Sequence, residues 1–241
     1  IFCMIFARSA AMAFNRYIDR KIDYKNPRTV KIREIPNGTI SPNSALIFVI
    51  INSILFITTT LFINTLCFYL SPIALIIILG YSYTKRFTSL CHLILGLGLS
   101  LAPIGSYLAV SEVFDMTPVL FSIVVLLWVS GFDIIYSLQD LDFDKKQQLY
   151  SIPVFLGKRK ALLLSIILHI FCILILAFIG IDNEFTEYYW IGFSIFISLI
   201  FYQHTLVKED DLSKINIAFF STNGVASILF AIFVIIDLLI N

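Results

Sequence analysis

Two short runs of this sequence carry residues whose type and spacing suit metal–phosphate chemistry. Asn15, Asp19 and Asp23 recur at intervals of four, and so do Tyr136, Asp140 and Asp144. Residues four apart on a helix rise about 6 Å and share one face. Asp19 and Asp23 then form one acidic strip with Asn15 above it; Asp140 and Asp144 form a second, with Asp142 on the other side of that helix. Magnesium takes one or two carboxylates, keeps several waters and accepts phosphate oxygens for the rest, so two facing strips suit two or more Mg²⁺ ions holding a diphosphate. The plainer alternative pairs these acids with Arg16, Arg20, Lys21, Lys145 and Lys146 as solvated helix-end charges. Duplication of the strip favours the metal.

Cations surround both strips. Arg28, Lys31 and Arg33 follow the first, and Lys85 and Arg86 close the short run from Tyr81. Juxtamembrane Lys and Arg ordinarily set topology or meet lipid headgroups, a role that suffices for Lys158, Arg159 and Lys160. Tyr81 and Lys85 are again four apart, on one face toward a bound diphosphate. Arg8 lies mid-span, where a charge is costly and functional by default. It shares a face with Asn15 and sits about 10 Å deeper at 1.5 Å per residue. There it either forks onto the carboxylate of a small bound molecule or pairs with an intramembrane acid such as Asp133. Cys3, Cys67, Cys91 and Cys172 have no metal-ligand spacing and read as small buried hydrophobes. His92 and His169 are lone residues on apolar segments and are assigned no function.

The elements that must position these residues follow from composition. Of 241 residues 59% are apolar and 14% charged, with 23 Phe, against roughly 45–50% and 25% in soluble domains. A mean hydropathy of +0.93 excludes disorder, collagen and secreted disulfide scaffolds, and exceeds what one soluble core can hide. Spans of about 20 residues are expected at Ile1–Tyr17, Ser44–Asn64, Leu66–Tyr83, Cys91–Val110, Thr117–Ile135, Ala161–Gly180, Tyr188–Thr205 and Ile215–Leu239. Every Lys and Arg except Arg8 falls in four connections: Arg16 to Arg33, Lys85–Arg86, Lys145 to Lys160, and Lys208 with Lys214. The connections between these hold Asn64, then Glu112 and Asp115, then Asp182 to Glu187, and no base. Basic loops stay cytoplasmic, so the two kinds must alternate sides, and they do. The net charge of +1 gives no footprint for nucleic acid.

The two triplets share one offset, and each is followed by Ile-Pro, at Ile35-Pro36 and Ile152-Pro153. This reads as a parallel pseudo-repeat, about 1–110 and 117–241, within a single transmembrane domain 1–241, its two motifs facing across a shared cavity. Eight spans with basic loops inside leave both ends outside, and the chain opens on Ile1. The expectation is a fragment lacking at least one upstream helix.

These motifs together resemble the UbiA-type intramembrane prenyltransferases. The run Asn15-Arg16-Tyr17-Ile18-Asp19-Arg20-Lys21-Ile22-Asp23 resembles the family's first signature, in which Asp commonly follows the Asn; Arg16 stands there instead. Arg28-Thr29 with Arg33-Glu34-Ile35-Pro36-Asn37-Gly38 is similar to its basic loop, Tyr81 to Arg86 to its Tyr-x-x-x-Lys motif, and Asp133 to Asp144 to its second acidic motif. A Gly common four residues after the last Asp is Gln148 here, with Ser151 at its usual place. The resemblance covers Arg8 to roughly Lys160. It implies an all-α bundle of nine spans, eight of them in this chain, and Mg²⁺-dependent joining of a polyprenyl diphosphate to a small aromatic acceptor. The 4-hydroxybenzoate branch has an intramembrane Arg seven before the motif Asn, as Arg8 is here.

The resulting expectation is prenyl transfer by ionisation, within quinone biosynthesis of the ubiquinone or menaquinone type. Asn15, Asp19, Asp23, Asp140 and Asp144 hold the metal; Arg28, Arg33, Lys85 and Arg86 steady charge on the leaving group; Tyr81 and Tyr136 belong to the substrate site. Aromatic faces shelter the allylic cation, Arg8 meets the acceptor, and Asp133 orients it or assists proton loss. The chain would be an integral multi-pass protein of the inner or plasma membrane in a bacterium, its site facing the cytoplasm and its prenyl tail among membrane lipid. Alternative acceptors are 1,4-dihydroxy-2-naphthoate, homogentisate and haem. A secondary transporter is the rival from another class, but transport predicts acids at mid-span, and most of these lie at the mouth. The Asp-x-x-Asp-Gly-x-x-Ala-Arg signature of CDP-alcohol phosphotransferases does not occur.

Overall fold

Local punctuation sets where each apolar run becomes a helix. In the computed structural model, which describes residues 1–240, α1 spans Phe2–Lys25 and stops where Asn26-Pro27 cannot continue it. Ser41 caps α2 (Pro42–Leu61) by accepting from the Ser44 amide, with Pro42 in the first turn. Asn64 caps α3 (Thr65–Thr84) by accepting from the Cys67 amide. Helix α4 covers Cys91–Ser111 and ends on left-handed Glu112; Asp115 caps α5 (Met116–Ser137). One 3₁₀ turn, Leu138–Asp140, passes α5 into short α6 (Leu141–Lys146). Then come α7 (Ile152–Leu156), α8 (Lys158–Asp182) and α9 (Glu187–Leu206), and a π-helical turn Ile217–Thr222 leads into α10 (Asn223–Ile240).

A long helix stands in each of the eight expected spans. Six are long and apolar enough to cross a membrane by length and composition. The other two are α1, whose last turns carry the acidic strip, and α9, with Glu187 at one end and Gln203 and His204 at the other. Neighbours pack in chain order: α1 on α2 and α3, α3 on α4, α4 on α5, α5 on α8, and α9 on α10. The tightest seam is α4 against α5 at Gly96, where an added Cβ would collide with Ser130 Oγ and stand 2.6 Å from the Leu126 carbonyl oxygen. Two buried clusters hold the second half. One gathers Ile134, Ile135, Leu138, Ile152, Ala161 and Leu206; the other gathers Val124, Cys172, Leu176, Phe196 and Ile200. Large apolar side chains such as Ile54, Ile76, Phe171, Phe201 and Ile228 face outward, the inverse of a soluble protein and what a lipid solvent favours.

The connections sort to two ends. The base-rich ones meet: the Tyr150 amide donates to the Lys85 carbonyl at 2.8 Å, and Lys25 reaches Gln147 at 3.3 Å. At the base-free end Asn64 donates to the Leu108 carbonyl at 2.8 Å, and Thr117 to Asn183 at 3.0 Å.

Candidate active site

A cleft of about 260 Å³ opens at the base-rich end, lined from α1, α3, α4, α5, α6 and the segments after α1 and α6. Asn15, Asp19 and Asp23 line it from α1; Asp133, Tyr136, Asp140 and Asp144 line it from the α5–α6 side. The strips are held by cations, but not by their own helix neighbours. Lys85 Nζ lies 2.5 Å from Asp19 Oδ2 and Arg86 2.9 Å from Asp19 Oδ1. Arg16 turns away to Glu34 at 3.5 Å, and Arg20 folds over the Tyr17 ring. The solvated helix-end pairing is therefore not the arrangement formed around Asp19. On the facing strip Arg28 takes both oxygens of Asp140, Nε to Oδ1 at 2.9 Å and a terminal nitrogen to Oδ2 at 2.5 Å. Burial opposes the charge on Arg28, but the hydrogen bonds and charge of Asp140 outweigh it, so its pKa is raised and the guanidinium stays cationic.

Among the buried atoms that lack partners, two in the cleft belong to groups of opposite charge. Asp23 Oδ2 and Arg33 Nη1 have no hydrogen bond among the described residues, and both residues line the cleft. Asp23 stands beyond the apolar part of α1. Burial first, then the Asp19 charge, pushes its carboxyl above the ordinary range. An orphaned carboxylate oxygen and an orphaned guanidinium nitrogen in one cleft suit a ligand that brings a cation and an anion together. No group of three or more His, Cys, Asp or Glu among the described residues could hold a metal alone.

The sequence expectations meet the structure unevenly. Asn15, Arg28, Arg33, Tyr81, Lys85 and Tyr136 line the cleft; Arg86 does not line it but donates to two residues that do, Asp19 and the Ser82 carbonyl. Arg8 does not line it: the side chain is exposed on α1. The pairing of Arg8 with Asp133 is corrected, because His92 of α4 holds that acid, Nδ1 to Oδ2 at 2.7 Å. His92 was thus missed as a site residue. Its partner lies 41 positions away, and only the close α4–α5 seam brings them together. Asn26 was missed as well. Its side chain accepts from the Arg28 amide at 2.9 Å and donates to Asp140 at 3.1 Å, and an Asn-Pro helix stop was its only signal. Cys172 is fully buried, as a small hydrophobe should be, whereas Cys91 lines the cleft and leans on the Tyr150 carbonyl at 3.7 Å. Behind Tyr136, Phe219 of the π turn stacks at a centroid distance of 4.0 Å. Gln148 adopts a φ of 55°, the left-handed region that Gly enters without strain. That conformation gives a backbone reason for a Gly there.

Fold and cleft together define a class: a helical multi-pass membrane protein with an acid-and-cation cleft at one end of its bundle. The sequence matches the UbiA prenyltransferase family over residues 1–225. It is 30% identical over 227 residues to a 4-hydroxybenzoate octaprenyltransferase of Aliivibrio fischeri (strain MJ11), covering 94% of this chain and 78% of that one. A 4-hydroxybenzoate octaprenyltransferase of Tolumonas auensis is 29% identical over 224 residues, covering 93% and 78%. Among solved structures, the apo form of a UbiA homolog from Aeropyrum pernix K1 superposes with a TM-score of 0.89 at 30% identity, covering 98% of this chain and 87% of that one. A UbiA homolog from Archaeoglobus fulgidus bound to GPP and Mg²⁺ shares the fold, with a TM-score of 0.71 at 19% identity over 98% and 85% of the two chains. This chain belongs to the UbiA prenyltransferase family and is a prenyltransferase embedded in a membrane.

Proposed function

We propose that the chain transfers a polyprenyl group from polyprenyl diphosphate to 4-hydroxybenzoate, with Mg²⁺, as a step of quinone biosynthesis. The observation that carries this reading is the pairing of two acidic strips across one cleft, each already gripped by a cation, with Asp23 Oδ2 and Arg33 Nη1 left unpartnered in the same cleft. Asn15, Asp19, Asp23, Asp140 and Asp144 would hold Mg²⁺, which when bound neutralises charge on the diphosphate. Their all-oxygen donor set suits a hard cation. Lys85, Arg86 and Arg28 now neutralise Asp19 and Asp140; with ligand present they bind the diphosphate and stabilise the charge it gathers as the allylic C–O bond breaks. Arg33 meets the same group from the segment after α1. Tyr81 and Tyr136 offer ring faces to the allylic cation, and Asp133 serves the acceptor.

The acceptor assignment is supported by the relatives' names, and we assign the acceptor's carboxylate to Arg8, which is exposed and does not line the cleft. That residue makes no side-chain hydrogen bond or ion pair among the described residues, and it lies two turns deeper than Asn15 on the same face of α1. An unpaired intramembrane Arg is available for a carboxylate. The two pseudo-repeats, 1–110 and 117–241, act as one catalytic unit, with the cleft on the cytoplasmic side of the membrane, the inner or plasma membrane if the chain is bacterial. The test is purified protein with labelled polyprenyl diphosphate, Mg²⁺ and a panel of aromatic acceptors. Product should form with 4-hydroxybenzoate, fail in EDTA, and return with Mg²⁺. Arg8→Leu should raise the Michaelis constant for 4-hydroxybenzoate about 10-fold, the loss of one charge-assisted hydrogen bond, and leave that for prenyl diphosphate within threefold. Activity in EDTA sinks the metal reading; preference for a naphthoate or a neutral phenol sinks the acceptor.

A further inference from the structure

The cleft contains one polar pair that diphosphate chemistry leaves unused. His92 and Asp133 both line it, with Tyr81 and Tyr136 beside them. The imidazole side chain is 5% exposed and the carboxylate 20%. Their contact is fixed by the α4–α5 seam: Gly96, one turn beyond His92, admits no side chain against α5, and Ser130 donates to the His92 carbonyl at 3.2 Å. In the neutral ring whose Nδ1 proton goes to Asp133, Nε2 keeps a lone pair. That nitrogen is buried and has no hydrogen-bond partner among the described residues. A buried, unsatisfied nitrogen is costly and calls for a reason. On the α5 side Asp133 precedes Asp140 by seven residues, about 10 Å at 1.5 Å per residue. The pair therefore sits deeper than the acids that face the diphosphate, at the level where a ring attacking from below would stand.

We propose that His92, oriented by Asp133, is the base that takes the phenolic proton of the aromatic acceptor. The assignment rests on the prenyl-transfer reading above and adds the group that handles the acceptor's proton. The allylic C–O bond breaks and its electron pair leaves with the diphosphate. The ring carbon beside the hydroxyl forms the new C–C bond as the O–H proton passes to His92 Nε2, giving a dienone. The proton on that carbon then moves to the carbonyl oxygen and restores the aromatic phenol, and the imidazolium releases its proton to water. One proton, one diphosphate and one prenylated phenol leave the site. Asp133 keeps Nδ1 protonated and steadies the imidazolium, the division of labour that makes an oriented His an effective base.

The test uses the full chain in detergent or nanodiscs with Mg²⁺, geranyl diphosphate, 4-hydroxybenzoate, and ring-fluorinated 4-hydroxybenzoates that keep one carbon beside the hydroxyl free. His92→Gln should lower kcat with 4-hydroxybenzoate by about 10²–10⁴-fold, the usual reach of a positioned base. Its Michaelis constant for geranyl diphosphate should stay within threefold, which also shows that the variant is folded. The ratio of wild-type to variant rates should shrink steadily as the phenol becomes more acidic, because an ionised acceptor needs no base. Asp133→Asn should show the same trend at smaller amplitude. A ratio that stays constant across the phenols, or a His92→Gln rate equal to wild type, overturns the base assignment while prenyl transfer stands. A wild-type protein that prenylates no phenol overturns the parent reading, and the base assignment with it.

Discussion

Asp23 is a residue at which function and stability pull apart. Its carboxyl is buried, lacks a partner on one oxygen, and is pushed upward first by burial and then by the charge of Asp19. A raised folded-state pKa means the charged form is less favourable in the fold than in the unfolded chain, so stability falls as pH rises through the unfolded value. Asp23→Asn should therefore melt higher than wild type at pH 8 in detergent without metal or substrate, with the gap closing below about pH 4, where the acid is neutral in both states. The same variant should lose turnover, since an amide does not bring the charge a cation needs. An equal or lower melting temperature at pH 8 would show that Asp23 is already balanced within the fold. The acidic strips were legible in the sequence because spacing by four fixes a helix face. The partners of Asp19 were not. Lys85 and Arg86 come from α3, and nothing local says that they outcompete Arg16 and Arg20, which sit within one turn of the acid and still point elsewhere.

Helix positions followed from hydropathy, and helix ends from Ser41, Asn64 and Asp115, each of which caps its helix through the side chain. Departures from regular helix were not legible. The 3₁₀ turn at Leu138–Asp140 and the π turn at Ile217–Thr222 have no breaker in their sequences. Both belong to segments packed about one buried cluster: Leu138 and Ala218 lie in the same core, so tertiary contacts decide the winding there. Two glycines stand close together on α4, Gly96 and Gly98, and only Gly96 sustains a close helix approach. A Cβ at Gly98 would find nothing nearer than Ile78 Cα at 3.9 Å. Ala is the better helix former by about 1 kcal/mol. Gly98→Ala should accordingly be neutral or stabilising, whereas Gly96→Ala should cost about 1–3 kcal/mol, the range for overpacking a fitted seam, because the blocking Leu126 oxygen is backbone and yields little. Reversible unfolding in mixed micelles compares the two; equal effects would mean that α4 and α5 are free to separate. Loss of prenyl transfer in Gly96→Ala should accompany the loss of stability, since this seam sets His92 against Asp133.

At the scale of the whole molecule, alternation of basic and base-free connections was the strongest feature of the sequence, and the structure places the two kinds at opposite ends of one bundle. The cleft could not be read so directly, because its walls come from α1, α3, α4, α5 and α6 and their closure depends on how the helices pack. The end that carries the cleft is also the end that carries the bases, so a single orientation fixes both loop topology and substrate access. Lys and Arg resist translocation, and the diphosphate ester proposed as substrate would enter from that side. With Cys3, Cys67, Cys91 and Cys172 replaced by Ala or Ser, single exposed cysteines report the orientation. Lys146→Cys and Lys208→Cys stand at the basic end, and Phe114→Cys and Asp182→Cys at the other. In right-side-out vesicles a membrane-impermeant maleimide should modify only the second pair, and in inside-out vesicles only the first. Labelling of one member of each pair from the same side would break the alternation and the bundle with it. Clean labelling in the reverse sense would keep the bundle and turn the cleft outward, away from any cytosolic pool of diphosphate, and the cytoplasmic site would have to be abandoned.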